Sequence, residues 1–133
     1  GLYGKPTIVN NVETLANLPW ILEHGAAAYK GYGSEASPGT RLFAISGHVV
    51  RPGIYEVEQG VTTFRDVIYG DNFCQGIRGG NDLKAFIPGG ASAPWFFEEQ
   101  LDLPLEALGT LFLGPHLHQA TEPTAVAHRP VAR

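Results

Sequence analysis

Apolar positions set the first reading of the chain. Val12, Leu15, Leu18 and Leu22 recur at near-helical spacing, so a helix is predicted to begin at Val12. Pro19 falls inside that pattern. A proline within a helix lacks the N–H donor and its ring crowds the preceding turn. The expectation is therefore a short helical turn from Val12, a break or kink, and a second start at Pro19. Gly25 suits the end of that piece. Ala26 to Lys30 reads as one more turn, closed by Gly31 and Gly33. Beyond Thr40 the pattern shortens to alternation. Arg41 to Val50 predicts a strand, with Phe43 and Ile45 on one face and Leu42 and Ala44 on the other. Arg51-Pro52-Gly53 is a turn signal. Ile54 to Val57 follows as a second strand, so the pair reads as a hairpin. Thr62 or Thr63 can cap a short helix over Phe64 to Tyr69, whose apolar face is Phe64, Val67 and Ile68. After a glycine-rich stretch, Leu83 to Ile87 is an apolar run that can return to the sheet. Pro88 to Pro94 is a turn-rich loop. The stretch from Gly109 to Arg133 shows no clear period and is expected to be largely disordered or irregular.

A hairpin, a helix and a returning strand are the element order of a β-grasp domain, in which the helix crosses one face of a small mixed sheet. Many α+β folds begin the same way. The fold class expected is α+β: a short helical N-terminal segment, a small β-grasp (ubiquitin-like) domain, and an irregular C-terminal tail.

Composition narrows the function classes. The chain has 133 residues, 44% hydrophobic and 17% charged, which fits one folded domain with attachments and not wholesale disorder. A net charge of -4 disfavours nucleic acid and anionic membrane surfaces, both of which reward a basic face. No apolar run approaches the roughly 20 residues of a membrane helix. Neither nucleic-acid binding nor direct membrane insertion is expected. The single cysteine, Cys74, fits a reducing compartment and cannot by itself hold an iron–sulfur cluster, which takes about four thiolates. There is no methionine and the first residue is glycine, so the chain is expected to be a fragment, a processed product or an excised piece.

Few residues advertise chemistry. Gly31-Tyr32-Gly33 begins like a dinucleotide fingerprint but lacks the third glycine and a preceding strand, so it reads as a turn. Gly79-Gly80 and Gly89-Gly90 read the same way. His116, His118 and His128 share a segment with no cysteine and one carboxylate, so no metal site is expected. His24 and His48 read as surface residues. Cys74 has no base beside it in the sequence and reads as a core filler or a free surface thiol. Glu98/Glu99 and Glu56/Glu58 read as solvated carboxylates. No catalytic residue is assigned. What remains is Val9-Asn10-Asn11-Val12-Glu13-Thr14. Two adjacent asparagines at the entry to a helix place amide groups beside unpaired helix N–H groups. Such a place suits the phosphate or ribityl arm of a nucleotide-like cofactor, and it equally suits plain helix capping.

The run Gly4-Lys5-Pro6-Thr7-Ile8-Val9-Asn10-Asn11-Val12-Glu13-Thr14-Leu15-Ala16-Asn17 resembles the end of the flavin domain in the NADH-binding flavoprotein subunit (the F, or 51 kDa, type) of respiratory NADH:quinone oxidoreductase, complex I. Pro38-Gly39-Thr40, Ser46-Gly47-His48-Val49, Arg51-Pro52-Gly53-Ile54-Tyr55-Glu56-Val57 and Pro88-Gly89-Gly90-Ala91-Ser92 resemble that family's next segment, a soluble-ligand-binding β-grasp domain. The similarity runs to about Leu108, and the tail departs from it. The resemblance implies residues 1–39 as the end of an FMN-binding domain, 40–95 as the β-grasp domain and 96–133 as linker and tail. It implies that Val9, Asn10, Asn11 and Thr14 contact FMN, with Asn10 and Asn11 holding its phosphoribityl end. It also implies a parent subunit that passes electrons from NADH through FMN to iron–sulfur clusters and quinone, beside other peripheral-arm subunits. The place expected is the cytoplasm, at the cytoplasmic face of the inner membrane through the parent complex.

The family's Gly-rich NADH and flavin loops and its 4Fe-4S cysteine run are not in this sequence. The chain alone is thus expected to hold FMN weakly or not at all and not to turn over NADH. The fragment reading further implies an apolar patch drawn from Leu15, Leu18, Trp20 and Ile21. The same module also resembles the diaphorase subunits of NAD-linked hydrogenases and formate dehydrogenases. A non-catalytic β-grasp binding or scaffold module, or a gene remnant, are the other readings.

Overall fold

A computed structural model describes residues 1–89 and 93–105, together with the backbone of 124–128. The element order is α1 (Val12–His24), α2 (Ala26–Tyr29), β1 (Thr40–Gly47), β2 (Gly53–Glu58), α3 (Phe64–Tyr69), β3 (Leu83–Ile87) and β4 (Thr124–His128), with short 3-10 turns at Leu2–Gly4, Arg78–Gly80 and Glu98–Gln100. The mix of helix and sheet is α+β, as expected.

The strand order is β2-β1-β4-β3. β1 and β2 form the predicted antiparallel hairpin, in register from Thr40↔Glu58 to Ile45↔Gly53. β4 lies parallel to β1 and antiparallel to β3. A central parallel pair flanked by antiparallel partners is the mixed sheet that the hairpin–helix–strand order calls for. Part of the segment expected to be irregular thus supplies a strand, and it sits between β1 and β3. The connection from β1 to β2 is anchored from outside: the Tyr55 hydroxyl donates to the Arg51 carbonyl at 2.6 Å, and Arg78 Nε donates to the Val49 carbonyl at 2.8 Å.

α3 forms where the apolar spacing put it. Thr63 is the cap, its hydroxyl accepting from Asp66 N while Asp66 Oδ2 accepts from Thr63 N at 2.9 Å. The next backbone donors are closed as well: Phe64 N and Arg65 N bond the carbonyls of Leu103 and Leu101 at 3.2 and 2.8 Å. Phe64, Val67 and Ile68 are buried against Ile45, Val57 and Phe86 of the sheet. Burying each such side chain stabilises the fold by roughly 1.5–3 kcal/mol. The core also takes in Phe96, Leu101 and Leu105, which lie beyond the expected domain limit at residue 95. Arg65 fastens that strap with two bonds to the Asp102 carboxylate, at 2.6 and 3.0 Å.

The predicted break at Pro19 does not occur. α1 is continuous through it. Pro19 removes only the donor to the Leu15 carbonyl, and Leu15 is exposed, so water can take that acceptor. The turn beyond is held by the Trp20 and His24 rings, stacked at 4.4 Å, and by His24 Nδ1, which lies 3.0 Å from the Trp20 carbonyl. Gly25 N closes the end on the Ile21 carbonyl. α1 has no buried residue in 13. Of the expected patch, Leu15 and Leu18 are exposed and Trp20 and Ile21 are half-buried; Val12 and Leu22 are more open still, at 80 and 83%.

Candidate functional site

Residues 5–10 approach α1 without regular structure and fully exposed. Val9 is 92% exposed. Asn11 is the helix cap: its backbone is extended and its Oδ1 accepts from Glu13 N at 2.8 Å. The capping reading therefore holds for Asn11, whose Nδ2 hydrogens stay uncommitted. Asn10 makes no hydrogen bond among the described residues, and its whole amide faces solvent. Thr14, one turn in, is also exposed.

The first turn of α1 is open. Glu13 N is capped and Leu15 N bonds the Asn11 carbonyl at 3.1 Å. The N–H groups of Val12 and Thr14 have no partner among the described residues. α3 makes a contrast, since its first three donors are all satisfied by Thr63, Leu101 and Leu103. The end of a 13-residue helix carries about half a positive charge. Together with the amides of Asn10 and Asn11 it offers donors to an anion and to sugar hydroxyls. The four residues named from sequence thus lie along one exposed stretch, from the approach at Val9 into the first turn of α1, and a phosphate-bearing group is chemically suited to the donors there.

Other candidates resolve into structural roles. Cys74 is fully buried, so it is the core filler of the two readings. Burial pushes its thiol above the ordinary value, against smaller lowering pulls from the Tyr55 hydroxyl and Arg51. It stays protonated and is a poor nucleophile. Glu56 and Glu58 are not simply solvated: Glu56 accepts from the Thr40 hydroxyl at 2.6 Å, and Glu58 accepts from Gly33 N at 3.1 Å. Gly33, with φ of 78°, packs so closely on the Ser37 and Gly39 carbonyls that a side chain would collide, which makes Gly31-Tyr32-Gly33 a tight turn and no phosphate loop. His48 is half-buried, not a free surface residue. His116, His118 and the Gly89-Gly90 pair as a unit lie outside the described residues. Among the described residues no group of three or more His, Cys, Asp or Glu could hold a metal ion, and no helix is long and apolar enough to cross a membrane.

No family model matches the chain. Individual proteins do. The chain is 46% identical over 109 residues to the F subunit of NADH-quinone oxidoreductase from Mycobacterium tuberculosis (strain ATCC 25618 / H37Rv), covering 82% of this chain and 24% of that protein. It is 42% identical over 138 residues to the corresponding F subunit of Streptomyces coelicolor, covering all of this chain and 30% of the relative. That alignment runs through the tail, whereas the mycobacterial one spans the length of chain over which the likeness was expected. Among solved structures, an NAD+-reducing [NiFe]-hydrogenase in the air-oxidised state superposes with a TM-score of 0.69 at 30% identity, over 96% of this chain and 20% of the other. These similar proteins fall in one class, oxidoreductases that use the nicotinamide couple, or subunits of them. Within that class, the particular protein whose segment this chain matches in sequence is the F subunit of NADH-quinone oxidoreductase. The chain spans about a quarter to a third of the length of these curated relatives.

Proposed function

We propose that this chain is a segment of the NADH-oxidising, FMN-binding electron-input subunit of an NADH dehydrogenase, and that Val9, Asn10, Asn11 and Thr14 contact the flavin, with Asn10 and Asn11 on its phosphoribityl arm. The observation that carries the reading is the 46% identity with the mycobacterial F subunit over 82% of the chain. The open first turn of α1 supports it: two free backbone donors and the amides of Asn10 and Asn11 stand together where a phosphate and its sugar chain would need them. When bound, FMN accepts a hydride from NADH and releases electrons singly. The chain's own residues donate hydrogen bonds and hold the arm in place. NAD and the 4Fe-4S cluster belong, on this reading, to parts of the parent outside this sequence. The partners are the other peripheral-arm subunits, and the setting is the cytoplasmic face of the inner membrane. The hydrogenase neighbour favours a second reading, a diaphorase subunit of an NAD-linked hydrogenase.

Two substitutions in the complete subunit test the site. Asn10→Ala removes no bond among the described residues, so FMN retention should drop with the melting temperature unchanged. Asn11→Ala removes the cap as well, at about 1 kcal/mol, and should lower both. Full flavin content in both variants would refute the assignment. The isolated 133-residue chain should show no flavin absorption after purification, and a stoichiometric yellow cofactor would contradict the partial-site reading.

A further inference from the structure

Among residues 1–16, Glu13 is the one that is half-buried. Both its ends are in use. Its backbone N–H donates to the Asn11 cap, and its carboxylate Oε1 accepts from the backbone N–H of Leu42, in β1, at 2.7 Å. This is the one long-range hydrogen bond described for residues 1–16. The Leu42 donor is available for a reason. β2 occupies one side of β1, and β4 pairs on the other side only with Ile45, Ser46 and Gly47. Among the described residues no strand pairs with the first half of β1 on that side, and the carboxylate takes the Leu42 N–H. No residue of α1 is fully buried, and the ring contacts described for Trp20 go to His24, Tyr29 and Tyr32 and not to the strands. A charged acceptor on a backbone donor is among the stronger single hydrogen bonds a protein makes.

We propose that Glu13 is a positioning residue: through Leu42 it holds the turn carrying Asn10, Asn11 and Thr14 at a set place on the β-grasp sheet, so that their donors meet a phosphate-bearing cofactor already in register. The proposal rests on the reading that this turn receives the flavin arm. Glu13 touches no cofactor on this account. It acts through the backbone of the helix it begins, and its loss frees the whole turn to swing relative to β1.

The test uses the complete subunit bearing this segment, with FMN as the titrant and amide exchange at Leu42 as a local probe. Glu13→Ala should raise the dissociation constant for FMN roughly tenfold and speed exchange of the Leu42 amide. Glu13→Gln keeps an acceptor oxygen at the same reach and should hold both within about threefold of the parent. With FMN in excess, kcat for NADH oxidation should recover in Glu13→Ala, since only placement is lost. If Glu13→Ala does not fold, Glu13→Asp, one methylene short of Leu42, carries the same expectation. Faster Leu42 exchange with unchanged FMN affinity would show a purely structural tie and overturn the proposal. Equal loss of affinity in Glu13→Gln and Glu13→Ala, with Leu42 exchange in the glutamine variant as slow as in the parent, would place the effect in the charge and not in the tie, and also overturn it. Asn10→Ala separates the two levels: if it weakens FMN binding while the Glu13 variants do not, the flavin reading stands and the positioning role falls. If Asn10→Ala has no effect either, both fall.

Discussion

Phe86 offers the sharpest test of how the sheet and α3 hold together. Its side chain is fully buried, and its ring lies 4.9 Å from that of Phe64 and 5.5 Å from that of Phe96 by centroid, in tilted and edge-on arrangements. Phe86→Ala deletes the centre of this trio. A buried Phe→Ala change costs about 3–5 kcal/mol, from lost transfer energy and from the cavity left behind. The cavity here has little freedom to close. Its walls are the sheet on one side and a six-residue helix on the other, capped at Thr63 and strapped by Leu101 and Leu103. The paired backbone bonds between Phe86 and Phe96, at 2.7 and 2.8 Å, do not depend on the ring and should survive. Against a typical total of about 5–15 kcal/mol for a domain, the loss takes a large share of the stability. Phe86→Leu keeps most of the volume and should cost nearer 1.5 kcal/mol. Urea unfolding followed by circular dichroism measures both, and a double-mutant cycle with Phe64→Leu should show a coupling of about 0.5–1.5 kcal/mol. An alanine variant within about 1 kcal/mol of the parent, or no worse than the leucine variant, would refute the account of this core.

The remaining predictions concern caps and charge. Thr63→Ala should lower stability by about 1 kcal/mol in the same unfolding assay, because Asp66 N loses its hydroxyl acceptor and Asp66 Oδ2 loses the hydroxyl donor, while the backbone N–H of residue 63 keeps its bond to that carboxylate. Thr63→Ser should restore most of it. Asp102 is held below the usual carboxylate value of 3.8, first by its hydrogen bonds to Arg65. A depressed folded-state pKa means that the contribution is present above 3.8 and fades as pH falls through the lower folded value. Asp102→Asn should therefore lower stability slightly at neutral pH and leave the acid end nearly unchanged, so that the profile flattens by a small amount, since the pair is solvent-exposed and screened.

Much of the local structure was legible along the chain. The Thr63 cap, the apolar face Phe64/Val67/Ile68 and the hairpin with Phe43 and Ile45 on one side all follow from interactions a few residues apart, which spacing alone reveals. The Asn10-Asn11 doublet stood out in the same way, and the likeness to the flavoprotein family lent it a chemical meaning. The helix through Pro19 was not legible, because the pattern shows the missing donor but not that its orphaned carbonyl lies in water beside a stacked Trp20–His24 turn.

The sequence by itself determined which segments become helix and strand wherever one residue's neighbours supply the partner: caps, turns and the alternating faces of the hairpin. Only the tertiary structure decided that residues 124–128 lie between β1 and β3, that 101–105 close the start of α3, and that Glu13 reaches Leu42. The reason is physical. A backbone donor left over at the edge of a strand or the start of a helix takes whatever acceptor the folded chain brings within about 3 Å, and that acceptor can come from any distance along the sequence.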